Sequence, residues 1–541
     1  MSSAPFIRRE TIVEADAGPC CRAESGRSRV LLGLAALFAV RIVYLLACPL
    51  ELAPDEAYYW DWSRQLDWSY YSKPPLVAWL IAMATTVGGH SEFAIRFPAA
   101  LLGTIGLWGV YELARRLYDH STGAQATIAT AATPGLTALC LLMTTDAPFL
   151  CAWTWALYCL WRMIEADKFN ARWLLPTILA TGLGLLAKQT MLALFPLAIV
   201  FLVTGAEDRA KLRSKGVWLW MLGSLTFLTP VLWWNFRNNW ITLAHTQHHF
   251  RTQAMSPMRH AIWFLEFWAS QFGILSPIVC GLMLVVIGVL LFRFRCLARR
   301  ERFLICFGAL PLVAVSGLSL CQRVQPNWPA ALHLTSLILL AACGWGSLSF
   351  VGRLAGLRAW FRPAIMLGAV LSVAVAFLPF VLPVSSLEGT NLDLTVRLRG
   401  WRDLATQTDT LMRGFPDRDT LIVVAVTSRS SVSELAYYLP GQPRVYRWNS
   451  GGVVDSQHEV WGGPTLDAER DALIVTQDDA DVPARFAAAF DSVEDRGRIT
   501  IPIGPNAARN FRIWRGVRLR EWPGNTMSAK SITVRPQNPS L

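Results

Sequence analysis

The chain has 541 residues, of which 53% are hydrophobic and only 16% are charged, whereas roughly 25% of the residues of an ordinary soluble protein are charged. This composition excludes a typical soluble enzyme and indicates a membrane protein. The net charge of +12 is spread over short loops between apolar stretches, so it reports membrane topology, and we predict no nucleic-acid partner.

Residues 1–29 are polar and predict a cytoplasmic N-terminal segment. Between residues 30 and 384, apolar stretches of about 20 residues recur, each long enough to cross a hydrocarbon core of about 30 Å. They predict about eleven membrane-spanning helices, near residues 30–48, 96–114, 122–143, 147–164, 173–187, 190–205, 216–235, 264–292, 303–320, 327–347 and 363–384. The shorter apolar segment 75–89 follows Pro74 and begins at Pro75, which favours a re-entrant or interfacial helix.

The distribution of Lys and Arg predicts the orientation of these spans. Basic residues concentrate in alternate loops, for example in RFRCLARRER at 293–302. Because cytoplasmic loops of membrane proteins carry the excess of Lys and Arg, we predict a cytoplasmic N-terminus and a periplasmic C-terminus in a bacterial inner membrane. The lipids of that membrane are then the immediate surroundings of the chain.

These patterns predict an α-helical polytopic membrane protein with a small C-terminal α/β periplasmic domain. The transmembrane domain covers 30–389 and includes a first outer loop at 49–95, the α/β domain covers 390–520, and the polar tail 521–541 is predicted to be disordered. In the α/β domain, TLIVVAVTS and DALIVTQ predict strands, whereas SVSELAYYL and PARFAAAFDSV predict helices.

The first outer loop contains an acidic pair, Asp55 and Glu56, directly after a span. Carboxylates at a membrane boundary are costly to bury and are therefore candidate catalytic groups. Tyr58, Tyr59 and several tryptophans follow in the same loop. They are candidates for substrate binding, but the alternative is an aromatic belt at the level of the lipid headgroups.

Later outer segments add charged residues to the same side of the membrane. Asp146 lies in TTDAPF at the next outer turn and is a third candidate catalytic acid, although it also suits a helix cap. The candidate cations for substrate binding are Lys73, Lys188, Arg237 and Arg323. Cations can hold a lipid phosphate while a carboxylate takes a proton from an acceptor hydroxyl; the alternative for Lys188 is a side chain that extends to the interface.

Seven segments together resemble one known family. They are PDEAYYWDW, YYSKPPLVAWL, SEFAIRFPAALLG, TTDAPF, GLLAKQT, VLWWNFRNNW and QPNWPAALH, within residues 30–350. The chain resembles the bacterial protein O-mannosyltransferases and lipid A aminoarabinose transferases of the C superfamily of glycosyltransferases, a group similar to glycosyltransferase family 39. The resemblance continues weakly into the C-terminal domain.

The resemblance implies an inverting membrane transferase whose donor is a polyprenyl-phosphate-linked sugar and which depends on, or is assisted by, a divalent metal ion. It implies that Asp55 and Asp146 are the acidic site residues and that Lys73 contacts the carrier phosphate. The candidate metal ligands are Asp55 and either His248 or His249. The chain departs from the aminoarabinose transferases at Tyr58, where they have arginine, and at Ser72, where they have glutamate.

Other interpretations of the same pattern remain. Many spans with a few charged residues also suit a transporter or lipid flippase, although neither an internal repeat nor charges at the membrane midplane are evident. A noncatalytic assembly factor is a third interpretation. If the chain is a transferase, its acceptor is lipid A or another glycolipid, a polysaccharide or a protein, and the sequence does not distinguish among them.

Overall fold

The computed structural model describes residues 19–524 except 167–168, 250–255, 349–351, 383–384, 386–387, 391–392, 416, 427, 452–453, 467–469, 479 and 506. Most of the predicted N-terminal segment 1–29 and of the predicted tail 521–541 lies outside the described residues. Within them, a helical half is followed by a domain built on one five-stranded sheet.

The helical half contains the apolar stretches. Its helices are α1 (Pro19–Ala47), α2 (Pro54–Ser63), α3 (Leu76–Gly88), α4 (Glu92–Leu117), α5 (His120–Ala131), α6 (Pro134–Leu139), α7 (Asp146–Ile164), α8 (Leu174–Ala187), α9 (Leu194–Thr204), α10 (Ala206–Arg209), α11 (Lys215–Leu225), α12 (Thr229–Arg237), α13 (Ile241–His249), α14 (Pro257–Leu275), α15 (Pro277–Phe292), α16 (Arg299–Phe307), α17 (Ala309–Ser319), α18 (Ala330–Trp345) and α19 (Arg358–Val381).

Several of these helices suit a membrane span. In the described part of the chain, five continuous helical segments are long and apolar enough to cross a bilayer, and two sharply bent helix pairs also qualify. Three shorter apolar helical segments, 76–88, 171–187 and 330–345, accompany them. The predicted class, a polytopic α-helical membrane protein, is confirmed, whereas the number of about eleven spans stays a prediction.

Two predicted spans are interrupted where a proline begins the second helix. The stretch 264–292 is divided between α14 and α15, whose axes differ by 112°. The bend lies at Ser276, whose φ is +76°, because Pro277 disfavours a helical conformation of the residue before it. Likewise, 122–143 is divided between α5 and α6 at Thr133, before Pro134. A hydropathy window is insensitive to these prolines.

The C-terminal domain contains α20 (Trp401–Met412), β1 (Ile422–Val426), α21 (Arg429–Tyr438), β2 (Val445–Trp448), α22 (Gln457–Trp461), β3 (Ala472–Gln477), α23 (Ala484–Ala487), β4 (Phe490–Gly504) and β5 (Ala507–Leu519). The sheet order is β2-β1-β3-β5-β4. Strands β2, β1 and β3 are parallel, and β3, β5 and β4 are antiparallel. The predicted small α/β domain is thus present, but PARFAAAFDSV is not one helix: α23 ends after one turn, and Phe490 begins β4, which pairs along its length with β5.

The loop 49–95 packs against this domain. The ring centre of Trp60 lies 4.9 Å from that of Tyr437, and the Tyr58 hydroxyl accepts a hydrogen bond from the backbone N–H of Gln457 at 2.5 Å. Tyr58 and Trp60 are fully buried. For Tyr58, Tyr59, Trp60 and Trp62 the alternative interpretation as a headgroup belt is therefore wrong, because they form a protein core under the C-terminal domain. Trp68 of the same loop is 53% exposed, so the alternative stays open for it.

Candidate active site

Asp55 and Asp146 each lie in the first turn of a helix. Asp55 follows Pro54 at the start of α2, and Asp146 is the first residue of α7. The positive end of a helix dipole stabilises a carboxylate at this position. Local sequence thus sets both acids at helix N-termini, and tertiary packing brings the two helix ends to one site.

Asp146 is buried and fully engaged. One carboxylate oxygen accepts a hydrogen bond from the Lys188 ammonium at 2.7 Å, and the other accepts from the Asn327 side-chain amide at 2.9 Å. The Lys188 ammonium also lies 5.5 Å from the centre of the Phe149 ring. Lys188 is buried with its charge compensated, so the alternative of a side chain extended to the interface is wrong.

Lys73 lies beside this ion pair. The side-chain amide of Gln189, next to Lys188, donates to the carbonyl of Ser72 at 3.3 Å and ties the two segments together. Burial and then the positive charge of Lys188 lower the pKa of Lys73, and the charges of Asp146, Asp55 and Arg429 also act on it. Among the described residues, the Lys73 ammonium has no hydrogen-bond partner, so it is available to an anionic ligand.

Asp55 is the more accessible acid. Its carboxylate accepts a hydrogen bond from Arg429 of α21 at 2.8 Å, and the two side chains remain partly exposed. The Arg429 guanidinium also lies 4.6 Å from the centre of the Tyr58 ring, a cation–π distance. The C-terminal domain therefore contributes a charged residue to the site.

The two candidate tyrosines differ in what they contact. Tyr58 is a structural residue, because its hydroxyl is bonded to Gln457 and its ring packs against Trp62 and His458. Burial and then the charge of Asp55 raise the pKa of Tyr59 well above its usual range. Tyr59 thus lies beside the acids as a neutral hydroxyl.

Glu56 does not share the surroundings of Asp55. It is fully buried, its carboxylate is paired with Arg96 at 2.8 Å, and it accepts backbone N–H groups of Ala53 and Met143 at 2.9 and 2.8 Å. No part of it is open to a substrate, so the prediction of a catalytic Glu56 is corrected to a structural role. It joins α2, α4 and the turn before α7 and thereby positions both acids.

Substituting Glu56 by Gln is expected to lower the stability of the protein strongly. It leaves the Arg96 guanidinium buried without a counter-charge, which costs about 3–5 kcal/mol. Thermal unfolding of the purified protein in detergent measures the effect. The matched control is Glu207→Gln, whose carboxylate pairs with Arg302 at 2.8 Å but is 56% exposed and contributes about 1 kcal/mol or less. Equal unfolding temperatures for both variants would contradict the role of Glu56.

Two predicted site residues, Arg237 and Arg323, have no contact with this cluster among the described residues. Arg237 is exposed at the end of α12, and Arg323 forms a half-exposed pair with Glu266 at 3.4 Å. The side chains of His248 and His249 lie outside the described residues. Elsewhere in the described chain, no group of three His, Cys, Asp or Glu side chains could hold a metal ion. The divalent metal ion with Asp55 and His248 or His249 as ligands therefore stays a prediction.

Two site residues are not identified by the sequence motifs alone. Asn327 lies within QPNW, a segment that carries the family resemblance, but nothing in that segment indicates a contact with Asp146. Arg429 is 374 residues from Asp55 along the chain. Only the packing of the C-terminal domain on the loop 49–95 brings them together.

The site thus combines an accessible carboxylate, Asp55, with an unpaired ammonium, Lys73, a buried pair of Asp146 and Lys188, and the guanidinium of Arg429. An excess of positive charge suits a phosphate, and a free carboxylate oxygen suits a proton from a hydroxyl. The arrangement fits a transfer of a group away from a phosphate at the end of a membrane helix bundle.

Comparisons with known proteins agree with this class. The family described as dolichyl-phosphate-mannose-protein mannosyltransferase matches residues 72–234. A curated relative, the lipid A galacturonosyltransferase RgtD of Rhizobium johnstonii, is 26% identical over 303 residues, which are 55% of this chain and 62% of the relative. The matched region therefore spans about three fifths of that relative's length.

Solved structures share the fold. ArnT from Cupriavidus metallidurans in the apo state superposes with a TM-score of 0.60 at 16% identity, over 90% of this chain and 98% of that one. The same enzyme bound to undecaprenyl phosphate gives a TM-score of 0.57 at 17% identity, with the same coverage. The chain is a multi-pass inner-membrane protein with the ArnT fold. The family match, the curated relative and the shared fold agree with the resemblance to the C superfamily of glycosyltransferases that the sequence motifs indicate.

Proposed function

We propose that the chain is a glycosyltransferase that takes a sugar from a polyprenyl-phosphate carrier and transfers it to an envelope acceptor on the periplasmic face of the inner membrane. The observation that supports the proposal is that the segment of Lys73 is tied to the Asp146–Lys188 pair, where the charges of Asp55 and Asp146 both act on Lys73. The likeness to RgtD and to an ArnT structure with undecaprenyl phosphate supports a lipid-phosphate donor.

In the proposed reaction, an acceptor hydroxyl oxygen attacks the anomeric carbon of the donor sugar. The bond between that carbon and the phosphate oxygen breaks, and the polyprenyl phosphate leaves with the electron pair. Asp55 takes the hydroxyl proton, and Lys73 stabilises the charge that develops on the phosphate. Asp146, which accepts a hydrogen bond from Asn327, pairs with Lys188 and keeps that second cation beside Lys73. A single displacement of this kind inverts the configuration at the anomeric carbon.

The periplasmic orientation rests on the distribution of basic residues. Alternate loops, such as 293–302, carry the Lys and Arg excess expected of cytoplasmic loops. The loop 49–95 and the C-terminal domain then lie together on the opposite side, in agreement with their mutual packing. The same assignment puts the carrier phosphate at the periplasmic surface of the bilayer.

The acceptor class is best identified by a deletion strain. Lipid A is our preferred acceptor because the curated relative is a lipid A galacturonosyltransferase. The alternative acceptor is a protein, as in protein mannosylation. Mass spectrometry of lipid A, other glycolipids and glycoproteins from the deletion strain is expected to show the loss of one sugar from one class. An unchanged envelope under conditions in which the protein is produced would contradict the proposal.

A further inference from the structure

The C-terminal domain contributes the Arg429 guanidinium, which contacts Asp55, the accessible acid of the site. Arg429 is the first residue of α21, and the hydroxyl of Ser428 caps that helix. The guanidinium contacts the Asp55 carboxylate at 2.8 Å and the Tyr58 ring centre at 4.6 Å. Two groups therefore position Arg429. One is the buried Tyr58 ring, and the other is the Asp55 carboxylate, which must be unpaired to accept a proton in the proposed reaction.

The two ion pairs of the site differ in exposure. Lys188 and Asp146 are 7% and 5% exposed, so separating them would leave buried charges uncompensated. Arg429 and Asp55 are 36% and 54% exposed, and exposed pairs hold together only weakly. When an anion enters the site, the pair of Arg429 and Asp55 is the one that can open.

We propose that Arg429 binds the phosphate of the donor and releases Asp55 as it does so. The proposal rests on the proposed function, since it assigns a residue to the donor of that reaction. A planar guanidinium matches the oxygens of a phosphate with two parallel hydrogen bonds. Lys73, close enough for the charge of Arg429 to act on it, supplies a second cation. Asp55 then becomes free to accept a proton only when the donor is in place.

This exchange predicts opposite effects of two substitutions on the binding of a polyprenyl phosphate without sugar. Arg429→Gln removes one charge-assisted contact and weakens binding about tenfold. Asp55→Asn replaces the charged competitor for Arg429 by a weaker, neutral one and strengthens binding about threefold. In Asp55→Asn/Arg429→Gln, the gain disappears, because no guanidinium is left to be released. Binding is measured with the purified full-length protein in detergent, so it requires no turnover.

The matched control is Arg402→Gln. Arg402 also belongs to the C-terminal domain, pairs with Glu92 of α4 at 2.7 Å and lies 5.5 Å from the Tyr438 ring centre. It thus makes the same kind of contact between domain and loop without reaching Asp55. Wild-type affinity in Arg402→Gln, together with partial recovery in Arg429→Lys, supports a direct role of Arg429.

Three outcomes would overturn the inference. The first is unchanged affinity in Arg429→Gln, and the second is an equal loss of affinity in Arg402→Gln. The third is a gain of affinity from Asp55→Asn that persists in the double variant, because such a gain would come from simple repulsion between Asp55 and the phosphate. Should Arg429→Gln fold poorly, Arg429→Lys replaces it in the single and the double variant, and affinity of Asp55→Asn equal to or below wild type still contradicts the exchange. Failure of the wild-type protein to bind any polyprenyl phosphate would instead count against the proposed function itself.

Discussion

The substitution Asp55→Asn is expected to abolish sugar transfer and to leave the protein folded. A positioned general base contributes about 10²–10⁴-fold to rate, and asparagine cannot take a proton from the acceptor hydroxyl. The amide oxygen can still accept a hydrogen bond from Arg429, which contacts Asp55 at 2.8 Å. The side chain is also half exposed, so the change removes the base without creating a cavity or a buried charge.

The loss is measured as the rate of transfer from a polyprenyl-phosphate sugar at saturating donor. The control is Asp67→Asn in the same loop. The Asp67 carboxylate accepts a hydrogen bond from the Trp234 indole at 2.6 Å and is not part of the charged cluster. We expect near wild-type transfer in this control. Full transfer by Asp55→Asn would remove Asp55 from the mechanism.

Lys73→Gln is expected to have the next largest effect, on the use of the donor. A hydrogen bond from a charged group to an anion is worth roughly 1.5–3 kcal/mol, so its loss should lower kcat/KM for the donor about 10- to 100-fold. The Lys73 ammonium has no hydrogen-bond partner among the described residues, and Asp146 keeps Lys188 as its counter-ion, so the substitution leaves no buried acid without a paired cation. Wild-type kcat/KM in a correctly inserted Lys73→Gln protein would show that the phosphate lies elsewhere.

The pH dependence of transfer gives an independent readout of Lys73. Burial lowers the pKa of this ammonium, so its positive charge is present at low pH and is lost, as pH rises, earlier than for an ordinary lysine. Donor binding should therefore weaken on the alkaline side. In Lys73→Arg, whose guanidinium stays charged, this alkaline decline should move to higher pH. An identical alkaline limb in both proteins would assign the titration to another group.

The sequence predicts those parts of the molecule that depend on local pattern. Hydropathy predicts the helical half, and strand-forming residues predict β1 and β3 in the C-terminal domain. The order of the motifs predicts the superfamily. The acids Asp55 and Asp146 are identifiable because each directly follows an outer turn and begins a helix.

What depends on long-range packing could not be predicted. Arg299 counts as a topology signal in the sequence, yet it also holds the buried carboxylate of Asp208 at 2.7 Å. At Tyr58 the chain lacks the arginine of the aminoarabinose transferases, and the structure places the Arg429 guanidinium above that ring. The cation next to Asp55 thus comes from a segment that is distant along the chain, and no local sequence motif predicts this contact.

The most direct test of the central claim uses the purified protein in proteoliposomes with a polyprenyl-phosphate-linked sugar labelled in the sugar, and with lipid A as acceptor. We predict that labelled lipid A and free polyprenyl phosphate appear in equal amounts, and that neither appears with Asp55→Asn. Movement of the intact donor across the bilayer without its consumption would contradict this account and favour a flippase.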